Sequence, residues 1–117
     1  MYYEDEKIKG IEKTNDNFQN HTFVNCNFEN CNLSNSDFSG SSFEDCIFQT
    51  CDLSFVKIIG AKLIDVQFIE CTFRGVNFSE TSRLFMEYNF ERCILNNTSF
   101  FELNLDKLNV NYSPLKL

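Results

Sequence analysis

The residues of this chain best equipped for chemistry are its six cysteines: Cys26, Cys31, Cys46, Cys51, Cys71 and Cys93. Thiolates ligate soft metals, attack electrophiles and pair as disulfides. A structural zinc site wants convergent thiolates, often two cysteines with two residues between them. Here the successive spacings are 5, 15, 5, 20 and 22. A disulfide scaffold belongs to a secreted context, and the N-terminus MYYEDEKIKG is acidic, with no apolar stretch of the kind a secretory signal carries. His21 is the sole histidine, so general-base catalysis has one candidate and no triad around it. The glycines stand singly at 10, 40, 60 and 75, and none opens a phosphate-binding loop. The expectation is therefore a chain that is not an enzyme, with no catalytic residue, cofactor or metal ligand.

The cysteine spacings are explained once the elements that carry them are found. Stepping by five from Phe18 gives Phe23, Phe28, Leu33, Phe38, Phe43, Phe48, Leu53, Ile58, Leu63, Phe68, Phe73 and Phe78, every one Phe, Leu or Ile. Two residues before each of these centres, from Cys26 onward, stands a small residue: cysteine, serine, alanine or valine. Asn or Asp often directly precedes the centre, as at Asn27, Asn32, Asp37 and Asp52. Such side chains suit turns, because they bond nearby backbone groups. A period of five is neither 3.6 nor 2, which excludes an amphipathic helix and an ordinary strand. One large and one small inward residue per five fit a chain that turns a corner every five residues. Four corners close a square coil of about twenty residues, and coils stack at about 4.8 Å through backbone hydrogen bonds. The cysteines then fall at inward small positions: Cys31, Cys51 and Cys71 on one face, Cys26 and Cys46 on the next. They are expected to be buried thiols acting as small hydrophobes. His21 occupies the same slot in the first coil, where a structural role is expected, and Asp16 at the equivalent slot is expected to belong to a fraying first turn.

Stretches such as Cys26-Asn27-Phe28-Glu29-Asn30, Cys31-Asn32-Leu33-Ser34-Asn35 and Ser36-Asp37-Phe38-Ser39-Gly40 resemble the pentapeptide-repeat proteins. The resemblance covers residues 16–78 closely and 88–115 more loosely. It implies an all-β fold, the right-handed quadrilateral β-helix of that family, here with about five coils. The run from Phe23 to Leu53 also resembles the quinolone-resistance (Qnr-like) members, which engage DNA gyrase as DNA mimics. The chain departs from those members in being much shorter and in showing no C-terminal dimerisation helix.

The repeat breaks once. After Phe78 the next centre would be Arg83, and the pattern resumes at Phe90, Leu95, Phe100, Leu105, Val110 and Leu115. Phe78 to Phe90 is two residues more than two repeats. Residues 79–89 are therefore expected to form a bulge or loop, with a helical turn around Arg83–Glu87. Arg83, Leu84, Phe85, Met86 and Glu87 make a candidate interaction loop, since loops on solenoids often bind. A two-residue slip also carries Cys93 onto the face of Cys31, Cys51 and Cys71. The chain thus divides into a lead-in and partial first coil (1–15), regular coils (16–78), the bulge (79–89) and resumed repeats with a C-terminal cap (90–117). A coil is expected to begin near Glu6, with residues 1–5 loose and Lys13 breaking the pattern. Leu103 and Leu108 are too large for the small slot, which points to a wider last coil, a cap or a partner interface.

What remains for function is the outer surface. The net charge is −7, of which 16–78 carries eight acids against three bases. An acidic surface disfavours nucleic acid and anionic membrane as partners, and no apolar run reaches the roughly 18 residues of a membrane helix. The expectation is a cytoplasmic, non-enzymatic scaffold or binding module whose partner is an unknown protein, a DNA-binding protein among the options. Two alternatives stand beside it: an acidic DNA mimic that binds a topoisomerase such as gyrase, and a self-associating module, monomeric or weakly dimeric through a terminal coil.

Overall fold

The computed structural model describes residues 1–82, 84 and 86–100, together with the strand at 109–111. The chain is a right-handed quadrilateral β-helix of about five coils, and its strands pair in parallel with the residue one coil away. The first face stacks β1 (Tyr2–Glu4), β3 (Thr22–Val24), β5 (Ser42–Glu44) and the start of β7 (Lys62–Ile69). The second stacks β2 (Lys7–Lys9), β4 (Asn27–Glu29), β6 (Ile47–Gln49), the end of β7, β9 (Met86–Glu91) and β11 (Asn109–Asn111). Tyr3 lies against Phe23 and Phe28 against Phe48, each an offset of twenty. On the third face single bridges at Glu12, Asn32, Asp52 and Thr72 lead into β8 (Thr72–Arg74) and β10 (Ile94–Asn96). The fourth is bridged at Asn17, Asp37 and Lys57 and again at Asn77 and Ser99.

Three local rules of the sequence explain this shape. From Asp5 through Asn97 the second residue after every centre but Phe78 takes a left-handed backbone, with φ between 52° and 72°. Asn, Asp and Gly tolerate that region best, which is why the chain is rich in Asn and needs few prolines. On the third and fourth faces the corner closes as a hydrogen-bonded β-turn, as where Ser41 N–H donates to the Phe38 carbonyl across Gly40. There the Asn or Asp before the centre accepts from the N–H two residues on: Asn32 from Ser34, Asp37 from Ser39, Asp52 from Ser54. The hydroxyl or thiol of the small slot donates to a centre carbonyl one coil below, Ser36 to Lys13, Cys46 to Phe23 and Cys71 to Phe48 among them.

Inside, the rings stack in columns. Phe28 and Phe48 are 4.4 Å apart and 3° from parallel, and Phe23–Phe43 and Phe18–Phe38 are each 4.9 Å apart. Phe38–Phe43 and Phe43–Phe48 meet edge to face across the corners.

Two expectations are corrected. Residues 2–4 are not loose: β1 pairs with β3, and Tyr3 is a centre stacked 4.8 Å from Phe23, so the first coil starts at Tyr2 and not near Glu6. No helical turn stands around Arg83–Glu87 among the described residues. The helical element is a 3-10 turn at Phe78–Glu80, capped by the Asn77 side chain, and Met86 and Glu87 already belong to β9. Register accounts for this. The Ser82 N–H still donates to the Ala61 carbonyl at the spacing Lys62 keeps to Ser41, whereas Leu63 pairs with Met86 at an offset of twenty-three and Val66 with Tyr88 at twenty-two. The extra residues are thus absorbed between Ser82 and Tyr88, ahead of most of β9. Arg83 and Phe85, and the expected cap residues in 101–108 and 112–117, lie outside the described residues. Of the last repeats, the Val110 backbone pairs with Phe90.

Candidate functional site

Sequence-assigned residues divide cleanly between inside and outside. Fifteen of the sixteen expected centres, Phe23 through Phe100, are buried, and Phe18 in the first coil is half-buried. Cys26, Cys31, Cys46, Cys51, Cys71 and Cys93 are all buried thiols in the small slot. Cys93 donates to the Phe68 carbonyl as Cys71 does to Phe48, which puts it one coil above Cys71. Burial pushes the Cys46 thiol up to about 11 and raises that of Cys71 as well. No group of three or more His, Cys, Asp or Glu suited to a metal occurs among the described residues. Nor is any described helix long and apolar enough to cross a membrane. His21 packs among Tyr3, Phe18 and Phe23, and burial lowers its pKa.

Of the candidate loop, Leu84, Met86 and Glu87 fall among the described residues. Leu84 is the most exposed apolar side chain of the described chain, at 85%, and Glu87 is exposed in β9. Between them the strand has already begun at Met86. Tyr88 occupies the slot above Val66 that elsewhere holds a small residue, and its ring stacks 5.6 Å from Phe78. Its hydroxyl is buried without a hydrogen-bond partner, and burial pushes its pKa up to about 12. The neighbouring Thr81 hydroxyl, which donates to the Phe78 carbonyl and keeps its acceptor lone pairs, opposes that shift.

Three outer features are built by the register. The first is an acidic edge between the first and second faces. Offsets of twenty stack Glu4 and Asp5 below Val24 and Asn25, then Glu44 and Asp45, then Ile64 and Asp65, with Glu87 opposite the bulge above them. All five of Glu4, Asp5, Glu44, Asp45 and Asp65 are exposed, and the Asn25 side chain donates to Asp5. From Asp5 to Glu87 is about four coil spacings, about 19 Å.

The second is an apolar pair flanking the fourth face. Phe55 is 54% exposed and Ile59 56%. Phe55 takes φ 58°, a conformation that costs a bulky side chain about 1 kcal/mol. Gly75 leaves room for its ring: a Cβ there would stand 2.8 Å from two Phe55 ring carbons.

The third is the mouth of the first coil. An apolar recess of about 360 Å³ is lined by Tyr3, Ile8, Ile11, Phe18, Phe23, Phe28 and Leu33, with Glu6 and Lys13 at its rim. At its rim Lys13 stands where the coils above place Leu33, Leu53 and Phe73.

Residues 21–83, just over half of the chain, match the family model described as a pentapeptide repeat region. No curated protein matches the chain. Among solved structures, the crystal structure of a pentapeptide repeat protein (Rfr23) from the cyanobacterium Cyanothece 51142 is 18% identical, with a TM-score of 0.59 over 94% of this chain and 85% of that one. A trypsin-treated form of QnrB1, a plasmid-mediated fluoroquinolone resistance protein, is 19% identical, with a TM-score of 0.47 over 100% of this chain and 83% of that one.

Proposed function

The chain belongs to the pentapeptide-repeat family, and we propose that it is a non-enzymatic protein-binding module working through its outer faces. The acidic edge carries this reading. The thiols are consumed as core filler, whereas carboxylates are stacked along one corner of a rigid rod at coil intervals. Such an array suits a basic surface on a partner, because clustered like charges raise encounter rates and select for the opposite sign. The linear spacing of the edge favours one narrower version, in which the edge stands in for a DNA strand on a DNA-binding protein such as gyrase.

Affinity capture with the whole chain tests the general reading, comparing wild type with Asp45→Lys/Asp65→Lys and with Phe55→Ala/Ile59→Ala. A partner lost with either surface variant supports it. A partner set that neither variant changes overturns it. Gyrase supercoiling, run with and without a quinolone, tests the narrower version. Inhibition or protection that disappears in Asp45→Lys/Asp65→Lys supports the mimic, and no effect of the wild-type chain rules it out.

A further inference from the structure

The ring columns of the core are broken at one level, and we infer that the gap is a binding site for a small apolar guest of noble-gas size. The inference rests on the interior of the rod and is independent of its outer faces.

The sequence makes the gap. In the coil below it the centres Phe38, Phe43 and Phe48 are rings, and in the coil above it Phe73 and Phe78 are rings again. Between them stand Leu53, Ile58 and Leu63, with Phe68 the one ring at that level. An aliphatic side chain reaches less far from the wall toward the axis than a phenyl ring, so three of them at one level withdraw atoms from the middle of the coil. The structure has a cavity there of about 30 Å³. Its wall is Leu53, Val56, Ile58 and Leu63 at its own level, with phenylalanine rings from that coil and from those below and above. All of these residues are buried. The ends are backed by further rings, Phe18 behind Phe38 at 4.9 Å and Phe100 behind Phe78 at 5.3 Å. The coil cannot shrink to fill the gap, because its perimeter is held in register with its neighbours on every face.

Volume and polarity select the occupant. Interiors carry few voids larger than a water. A water needs roughly 10–15 Å³ and two to four polar partners. This cavity has the room and lacks the partners, since its wall is wholly apolar. The amides of this level are spent in turns and between coils, as where Leu53 N–H donates to the Thr72 carbonyl and Ala61 N–H to the Ile58 carbonyl. An apolar cavity of about 150 Å³ stays dry and takes benzene; this one is far smaller and suits a guest the size of a noble gas or an apolar diatomic. The wall atoms lack dispersion partners on their inner side while the site is empty and regain them from a polarisable guest.

Xenon is the probe, applied under pressure to the whole chain with its Leu, Ile and Val methyl groups labelled for NMR. The expected result is a shift at Leu53, Val56, Ile58 and Leu63 that saturates with pressure, while the exposed Ile59 and Leu84 do not saturate. Ile58→Phe continues the ring column of Phe38 and Phe78, and Leu63→Phe that of Phe43. Each fills the cavity, and the saturable shift at the remaining wall methyls should be lost. A wild-type chain with no saturable shift overturns the inference, as does a shift retained in a filled variant that folds, or a bound water detected at the Leu53 and Leu63 methyls. The unmodified chain supplies a readout that needs no variant. A guest that binds only the folded state raises the melting temperature, so the chain should melt higher under xenon than under the same pressure of weakly polarisable helium; equal melting temperatures overturn the inference.

Discussion

Gly75→Ala isolates a contact between coils, because the chain supplies its own control. Gly60 and Gly75 take nearly the same backbone, φ 71° and 63°. A Cβ on Gly60 meets no described atom within 4 Å, whereas one on Gly75 meets the Phe55 ring at 2.8 Å. Gly60→Ala therefore carries only the left-handed strain, about 1 kcal/mol. Gly75→Ala carries the same strain and also displaces Phe55. A phenylalanine buries on the order of 200 Å² when fully covered. With Phe55 54% exposed, about 90 Å² is covered, worth at most about 2 kcal/mol at ~25 cal/mol per Å². Because the ring swings instead of leaving the protein, about half of that is lost. Gly75→Ala should then destabilise by about 2 kcal/mol, twice the effect of Gly60→Ala. Urea unfolding followed by circular dichroism, at fixed protein concentration, measures both. Phe55→Ala combined with Gly75→Ala should show a coupling of about 1 kcal/mol in a double-mutant cycle. Equal losses at the two glycines, or an additive cycle, would refute the claim that Gly75 is there to seat Phe55.

Three further outcomes follow from the packing. Phe48→Ala, in a column with Phe28 and Phe68 at 4.4 and 5.3 Å, should cost about 4 kcal/mol, while Phe18→Ala in the half-buried first coil should cost less than half as much; thermal unfolding ranks the two. Tyr88→Phe removes a buried hydroxyl that has no partner and should stabilise by about 1 kcal/mol, read as a rise in melting temperature. The six thiols should resist alkylation in the folded chain and all react in denaturant. Folding raises the Cys46 thiol from 9.0 to about 11, so its contribution to stability is whole below pH 9 and is lost as pH climbs toward 11. Alkaline unfolding that does not shift in Cys46→Ser would contradict this.

The coil itself was legible in the amino-acid sequence. Period five, the Phe and Leu centres and the small slot specify a chain that turns every five residues, because inward and outward positions are fixed by local geometry alone. The same pattern assigns all six cysteines to the interior, since a residue two before a centre can only point inward. The left-handed column was legible in part: Gly40, Gly60 and Gly75 announced it, while Thr50, Phe55, Glu70 and Arg92 share that backbone without any preference for it, held there by the coils above and below. Tertiary structure alone decided what depends on stacking. Residues five apart in sequence lie on adjacent faces, and those twenty apart lie on one edge. The acidic corner formed by Asp5, Asp45 and Asp65, the seat of Phe55 on Gly75 and the site of the two-residue slip were therefore settled only by closure of the coil. The first coil shows the division most plainly. Lys13 in the sequence is a missed beat, and in the fold it is a rim residue of the recess lined by Tyr3, Ile8, Ile11 and Phe18.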